Sequence, residues 1–337
     1  MRKKIVFAGS HLSVKRGTKG ISEKIAGLLD EEYNITLVSC YENLALRLLD
    51  IVFTLIFKRF DIVHVDVFSN RGFIYANMAS RVAKIKNEML VMTLRGGMLV
   101  EKYKQEPKRL RTVFSRADVL QSPSLFLIDF FKKQGIAIEY MPNFVNLDYF
   151  PYSRGNVQPF SLLWVRAFSP EYQPELAIET LQKVLKQYPD ATLTMVGPDK
   201  GVQKSIEQLL EELGLSDRVS FKGKVPNENL YTYYQSHEVY LNTTAYESFG
   251  VAVIEAASCG IPVVSTKVGE IPYLWRNEED ILMVEDFSSA HMADKVMQLF
   301  EDKDLAMKLS VNARKKAESF DWVNVKPLWL KLLKEGV

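Results

Sequence analysis

Cysteine is nearly absent from this chain of 337 residues: only Cys40 and Cys259 occur, far apart and in no metal-binding spacing. That excludes a disulfide-stapled scaffold and a cysteine-ligated metal centre. Both residues read as small buried apolar side chains in a reducing compartment. No apolar run is long enough to span a bilayer. The longest, Leu48 to Phe57, contains Asp50 and lies between Arg47 and Lys58-Arg59. Being apolar nearly all round, it is expected as a buried helix in preference to one that contacts a membrane. Gly-x-Gly-x-x-Gly occurs nowhere, which removes the dinucleotide fingerprint. Nor does the start resemble a signal peptide, since Met1-Arg2-Lys3-Lys4 precedes only a short apolar strand, Ile5 to Ala8. A cytoplasmic protein is expected.

Charge of one sign is also lacking, with a formal net charge of +2. The near balance hides an asymmetry. Residues 1–150 carry 23 Lys+Arg against 15 Asp+Glu, and residues 151–337 carry 20 against 26. The basic residues concentrate in Lys102 to Arg116, read as a helix or helix-loop. Such a stretch is either a solvated face or one drawn to an anionic surface, with peripheral contact at the inner face of a membrane as the partner considered. Nucleic acid is not expected, because no binding motif accompanies the charge.

What is present is alternation. Strand-like runs at Lys4–Ala8, 35–38, 62–65, 89–93 and 119–121 are separated by helical patterns such as 22–30, 73–84 and 125–134. The rhythm breaks over 143–159, which holds Pro151, Gly155 and Pro159, and restarts with runs at 160–165, 193–196, 219–222, 239–241 and 261–265. The expected architecture is α/β, with two doubly wound Rossmann-like domains and a cleft between them. The expected divisions are 1–150, 151–317 and a terminal helix over 318–337.

The most informative stretch is Tyr246 to Gly260, YESFGVAVIEAASCG. It sets Glu247 in a loop after one apolar strand and Glu255 one turn after Val251 in the helix that follows. The amides of Phe249, Gly250 and Val251 would lie at that helix's N-terminus without intrahelical partners, where they and the helix dipole favour an anion such as phosphate. Gly250 has no side chain to keep a ligand from the backbone. Taken singly, Glu247 could be a first-turn acid capping with Thr244, and Glu255 a solvated helix residue. Together they offer phosphate-binding amides flanked by two carboxylates able to accept hydroxyl hydrogen bonds, as a sugar nucleotide requires.

This stretch resembles the donor-site motif of retaining GT-B glycosyltransferases of the family 4 type. Glu247, Phe249-Gly250, Glu255 and Gly260-Ile261-Pro262-Val263-Val264 fill its pattern. Val268-Gly269-Glu270-Ile271-Pro272 is similar to the family's Gly-Gly-x-Pro loop, with Glu270 at the second glycine. Val219 to Val225 is similar to the strand and loop facing the base, and Phe320-Asp321-Trp322 to the start of the last helix. The resemblance implies that this helix crosses back to the first domain. It also implies that Glu255 binds the ribose hydroxyls, Glu247 the transferred sugar, and Ser248, Phe249, Gly250 and Val251 the diphosphate. Gly197 and Val225 complete the donor set. Relatives carry a Gly-Arg with a Lys five residues on. Here Ala167 takes the Arg position, Arg166 stands one place early and Tyr172 replaces the Lys.

Three further features bear on function. Arg95 falls where many relatives have a His, and is expected as a cation at a cleft edge suited to a phosphate or acidic acceptor. Gly17, Thr18, Lys19 and Gly20 form a turn leading into a helix and resemble, loosely, a phosphate or acceptor loop. His64 lies within a strand and reads as a core residue. The implied activity is transfer of a hexose from a UDP- or GDP-sugar to a glycan or lipid-linked acceptor, with Glu247, Arg166 and Arg95 as catalytic residues. No metal or other cofactor is expected. An epimerase or phosphorylase of the same fold, or a two-domain sugar-binding protein without chemistry, remains as an alternative.

Overall fold

A computed structural model describes residues 2–12, 19–69 and 71–335. The chain divides into two compact units, Met1–Asn143 with Lys326–Val337, and Phe144–Val325. The division falls at Asn143, earlier than the residue 150 expected from the proline-rich stretch. The terminal segment grouped with the first unit begins at Lys326, within the expected 318–337.

The first unit is built on a six-stranded parallel sheet of order β2-β1-β3-β4-β5-β6. Its strands are β1 (Lys4–Ala8), β2 (Asn34–Val38), β3 (Ile62–Val67), β4 (Met89–Leu94), β5 (Val119–Ser122) and β6 (Glu139–Tyr140). Both faces of a parallel sheet are covered, so its central strands read as continuous apolar runs. Every residue of β3 (IVHVDV) is buried, including His64 and Asp66. The second unit has order β12-β11-β10-β7-β8-β9. Its strands are β7 (Ser161–Val165), β8 (Thr192–Val196), β9 (Val219–Phe221), β10 (Val239–Asn242), β11 (Val263–Thr266) and β12 (Leu282–Val284). The expected runs all correspond to strands. The exposed two-residue β6 and the three-residue β12 are too short to show a period.

Two expectations need correction, and the basic stretch takes the helical form expected of it. The helix Leu44–Phe57 is apolar nearly all round but buries only one side, leaving Leu49, Phe53 and Phe57 exposed. Cys259 is buried as expected, but Cys40 is exposed. The basic stretch Lys102 to Arg116 forms two short helices, Leu99–Gln105 and Pro107–Phe114, whose charges are largely met from within the unit. Lys102 and Arg109 pair with Glu106, Lys104 with Glu101, and Arg116 bonds Asn77 and Ser80.

The last helix, Trp322–Glu335, contains Pro327. On either side of it, Lys326 pairs with Glu32 at 2.6 Å, and Trp329 is buried with its ring centroid 5.5 Å from that of His64. These contacts lie within the first unit.

Candidate active site

In the second unit the strand order reverses between β7 and β10, and the crevice beyond the carboxyl ends of such strands is where open α/β sheets take ligands. Arg166 follows β7. Its Nη2 donates to Glu247 Oε2 at 2.6 Å and to Asn242 Oδ1 at 3.0 Å. Asn242, the last residue of β10, is oriented by its own donation to Ser265 on β11 at 2.9 Å. The Arg166 and Glu247 side chains are only 12% and 10% exposed. Burial works against a charged guanidinium, but the Glu247 carboxylate, together with the Tyr240, Tyr172 and Tyr234 phenols around it, holds the Arg166 pKa above its ordinary value. Arg166 Nε is buried and has no hydrogen-bond partner among the described residues.

Glu247 uses its other oxygen to accept the amides of Ser248 at 3.0 Å and Phe249 at 3.2 Å. Two of the amides expected for phosphate are therefore already held by a carboxylate. The helix itself runs Val251–Cys259, with Gly250 at its N-cap in the left-handed region, φ 86°. Gly250 and Val251 carry the amides left for a ligand. Thr244 does not cap the helix; its hydroxyl donates to the Tyr246 carbonyl at 2.9 Å.

Two glycines make this geometry possible. A Cβ on Gly269, whose φ is +52°, would fall 2.0 Å from the Glu247 carbonyl oxygen. One on Gly197 would fall 1.8 Å from the Arg166 carbonyl oxygen. Only the bare backbone lets the neighbouring loops press against the pair.

The Tyr172 ring lies under the Arg166 guanidinium, 5.2 Å from its centroid. Burial raises the Tyr172 pKa, so the phenol stays a protonated donor. Its loop is tied to the one bearing Glu247: Thr243 Oγ1 donates to the Tyr172 carbonyl at 2.6 Å, and the Ala245 amide to that of Glu171 at 2.8 Å. Glu255 is buried, not solvated, and accepts from Tyr234 Oη at 3.3 Å. Burial first, and then the Glu255 charge, raise the Tyr234 pKa and push the Cys259 thiol up to about 12.

The structure thus brings together Arg166, Glu247, Tyr172, Ser248, Phe249 and Gly250, with Glu255 one turn further along the helix. The Phe249 side chain is a core anchor, edge-on to Phe320 at 5.4 Å, so only its backbone can serve a ligand. Val225 is half-buried after β9, and the Gly197 amide donates to Gly223 at 2.8 Å, joining the loops after β8 and β9. The remaining sequence-derived residues belong to the first unit. Arg95 is not an open cation: it is buried, pairs with Asp66 at 2.6 Å and donates to Asn143. The Gly20 amide donates to Glu23 at 2.7 Å at a helix start, and Lys19 is exposed. Gly17 and Thr18 lie outside the described residues. Sequence reasoning missed Asn242, Thr243 and Tyr234. Of these, only the polar end of the apolar run Val239–Leu241 offered a signal.

Comparison with known proteins adds to this geometry. The profile of the family described as Glycosyl transferases group 1 matches residues 151–316. A D-inositol 3-phosphate glycosyltransferase of Corynebacterium urealyticum is 31% identical over 157 residues, 45% of this chain and 37% of that protein. A second D-inositol 3-phosphate glycosyltransferase, of Corynebacterium diphtheriae, is 29% identical over 154 residues, 44% of this chain and 36% of that protein. The chain thus spans well under half the length of these curated relatives. Among solved structures, Anabaena HepE in complex with UDP and glucose superposes with a TM-score of 0.78 at 18% identity, covering 99% of this chain and 100% of that one. Sucrose-phosphate synthase from Thermosynechococcus elongatus gives 0.79 at 19% identity, covering 99% of each chain. At such identities the likeness is one of fold.

Proposed function

Because the chain has the two-domain α/β GT-B fold and its C-terminal half belongs to the glycosyl transferases group 1 family, we propose that it moves a hexose from a UDP- or GDP-sugar to an acceptor hydroxyl with retention. The observation that carries this reading is the Arg166–Glu247 pair seated on the N-terminus of the helix Val251–Cys259.

Charge develops on the diphosphate as the glycosidic bond breaks. The Gly250 and Val251 amides at the helix N-terminus would receive it, and such preorganised donors are the main catalytic term. Because Glu247 neutralises much of the Arg166 charge, these neutral donors carry more of the load. Tyr172, in the place of the lysine of relatives, supplies a further neutral donor. Glu255 accepts hydrogen bonds from the ribose. Glu247 already receives Arg166 and two amides, yet a carboxylate has about four acceptor positions, leaving room for a sugar hydroxyl. No protein nucleophile is required: the leaving phosphate oxygen takes the acceptor proton on the face from which it departs. A glycan or lipid-linked acceptor at the cytoplasmic face of a membrane suits this chemistry.

Incubation with UDP- and GDP-sugars, reading nucleoside diphosphate release with and without candidate acceptors, tests the proposal. Acceptor-dependent release is expected. Release accompanied by free sugar, without dependence on acceptor, would indicate an epimerase-type reaction, and no release with any donor would overturn the reading. Turnover is expected to survive excess EDTA, since donors within the protein meet the diphosphate. Loss with EDTA and rescue by magnesium or manganese would refute that part.

A further inference from the structure

The helix Leu44–Phe57 presents an apolar stripe to each side. Ile51 and Leu55 are fully buried toward the sheet. Leu46, Leu49, Phe53, Ile56 and Phe57 recur at helical spacing on the opposite side, where Leu49 is 67%, Phe53 63% and Phe57 71% exposed, and the half-buried Asp50 is the one acid at the stripe's edge. The Phe53 and Phe57 ring centroids are 4.4 Å apart, forming one aromatic ridge. Asn43 caps the helix start by accepting the amides of Ala45 and Leu46. At the other end Lys86, from the helix Arg71–Lys86, donates to the carbonyls of Leu55 and Lys58. Next to it in sequence, Ile85 is 83% exposed. Lys58 and Arg59 follow the ridge directly, both exposed and neither in an ion pair among the described residues.

We propose that this stripe is a docking surface for an anionic phospholipid membrane, a role beyond the proposed transfer reaction. Large apolar side chains along one face of a helix, with free cations at its end, match a helix lying in the plane of a bilayer interface. Among the described residues no helix is long and apolar enough to cross a membrane, so the contact is peripheral. A second copy of the chain fits less well. One helix of 14 residues is about 21 Å long, and a single stripe of that length falls short of the roughly 800 Å² per partner of a standard interface. The basic stretch Lys102 to Arg116 is a weaker candidate, because half of its cations are already in ion pairs and it lacks an apolar ridge.

The test is co-sedimentation of the full chain with phosphatidylglycerol–phosphatidylcholine vesicles and with phosphatidylcholine vesicles, at low and high salt. Wild type should pellet with the anionic vesicles and be released by salt. The variant Leu49→Ser/Phe53→Ser/Phe57→Ser should lower the partition coefficient by about a hundredfold, with an unchanged melting transition because the three side chains are exposed. Lys58→Glu/Arg59→Glu should weaken anionic binding selectively, and Lys104→Glu/Lys108→Glu should leave it unchanged. The proposal is overturned if wild type pellets with neither vesicle, if the triple variant binds like wild type, or if Lys104→Glu/Lys108→Glu alone abolishes binding. It is also overturned if sedimentation velocity shows a dimer that the triple substitution dissociates while vesicle binding is absent.

Discussion

Each unit holds a buried arginine against a carboxylate near the carboxyl end of its parallel sheet, and the two pairs are built differently. In the first, Arg95 follows β4 and Asp66 lies inside β3, 2.6 Å away. The surroundings are side chains: Asn143 accepts from Arg95, and His64, two residues from Asp66 on the same strand, bonds Thr93 at 2.8 Å. Burial alone would raise the Asp66 pKa, but Arg95, His64 and a hydrogen bond from Ser22 together keep it low. In the second, Arg166 and Glu247 are also 2.6 Å apart, but both stand in loops beyond their strands. There the carboxylate's other oxygen meets two main-chain amides beside a helix N-terminus. The same kind of ion pair closes an interior in one unit and lies beside the helix start proposed as an anion site in the other. What separates them is the backbone next to the pair: a continuous strand offers no free amides, whereas a helix start behind a left-handed glycine does.

Removing the carboxylates breaks the comparison most sharply. Asp66→Ala and Glu247→Ala should each cost about 3–5 kcal/mol of stability, because each leaves a buried guanidinium uncompensated. Chemical denaturation checks this. Only Glu247→Ala should also lower turnover in enzyme that remains folded, with little change in affinity for the bare nucleoside diphosphate. Glu247→Ala/Arg166→Met should regain stability without regaining turnover. If Asp66→Ala abolishes nucleotide binding in folded protein, the two pairs do not differ as argued.

Acid sharpens the contrast from the first unit's side. Burial depresses the His64 pKa to about 4, so the native state holds this ring neutral while the unfolded chain protonates it near 6.5. More protons on the unfolded chain mean that stability is fully present above about pH 6.5 and falls as pH drops toward 4, by at most about 3 kcal/mol from this group. Melting curves between these limits should be flatter for His64→Gln than for wild type. Parallel curves would remove His64 from the account. His11 and His237, also depressed by burial, add slopes common to both proteins.

The strands of both sheets were legible because parallel strands covered on both faces are written as unbroken apolar runs. Glu247, Glu255 and Gly250 were legible as a motif of fixed spacing. The partners that hold them were not. Asn242 reaches Arg166, and Gly269 admits the Glu247 carbonyl, across many residues of sequence, and no local pattern encodes either approach. Nor could periodicity show that a helix apolar nearly all round is covered on one side only. Arg95 was read as an open cation because the pairing across 29 positions with Asp66 is a property of the sheet, not of the loop.

The central claim is that the helix beginning at Val251 holds a nucleoside diphosphate, with Glu255 on its ribose. Calorimetric titration of UDP and GDP into wild type and Glu255→Ala tests it most directly. At least one nucleotide should bind wild type. The loss of charge-assisted hydrogen bonds worth roughly 1.5–3 kcal/mol should weaken its binding to Glu255→Ala by about ten- to a hundredfold, with the melting transition retained. Equal affinity in the two proteins, or no binding of either nucleotide by wild type, would contradict the account.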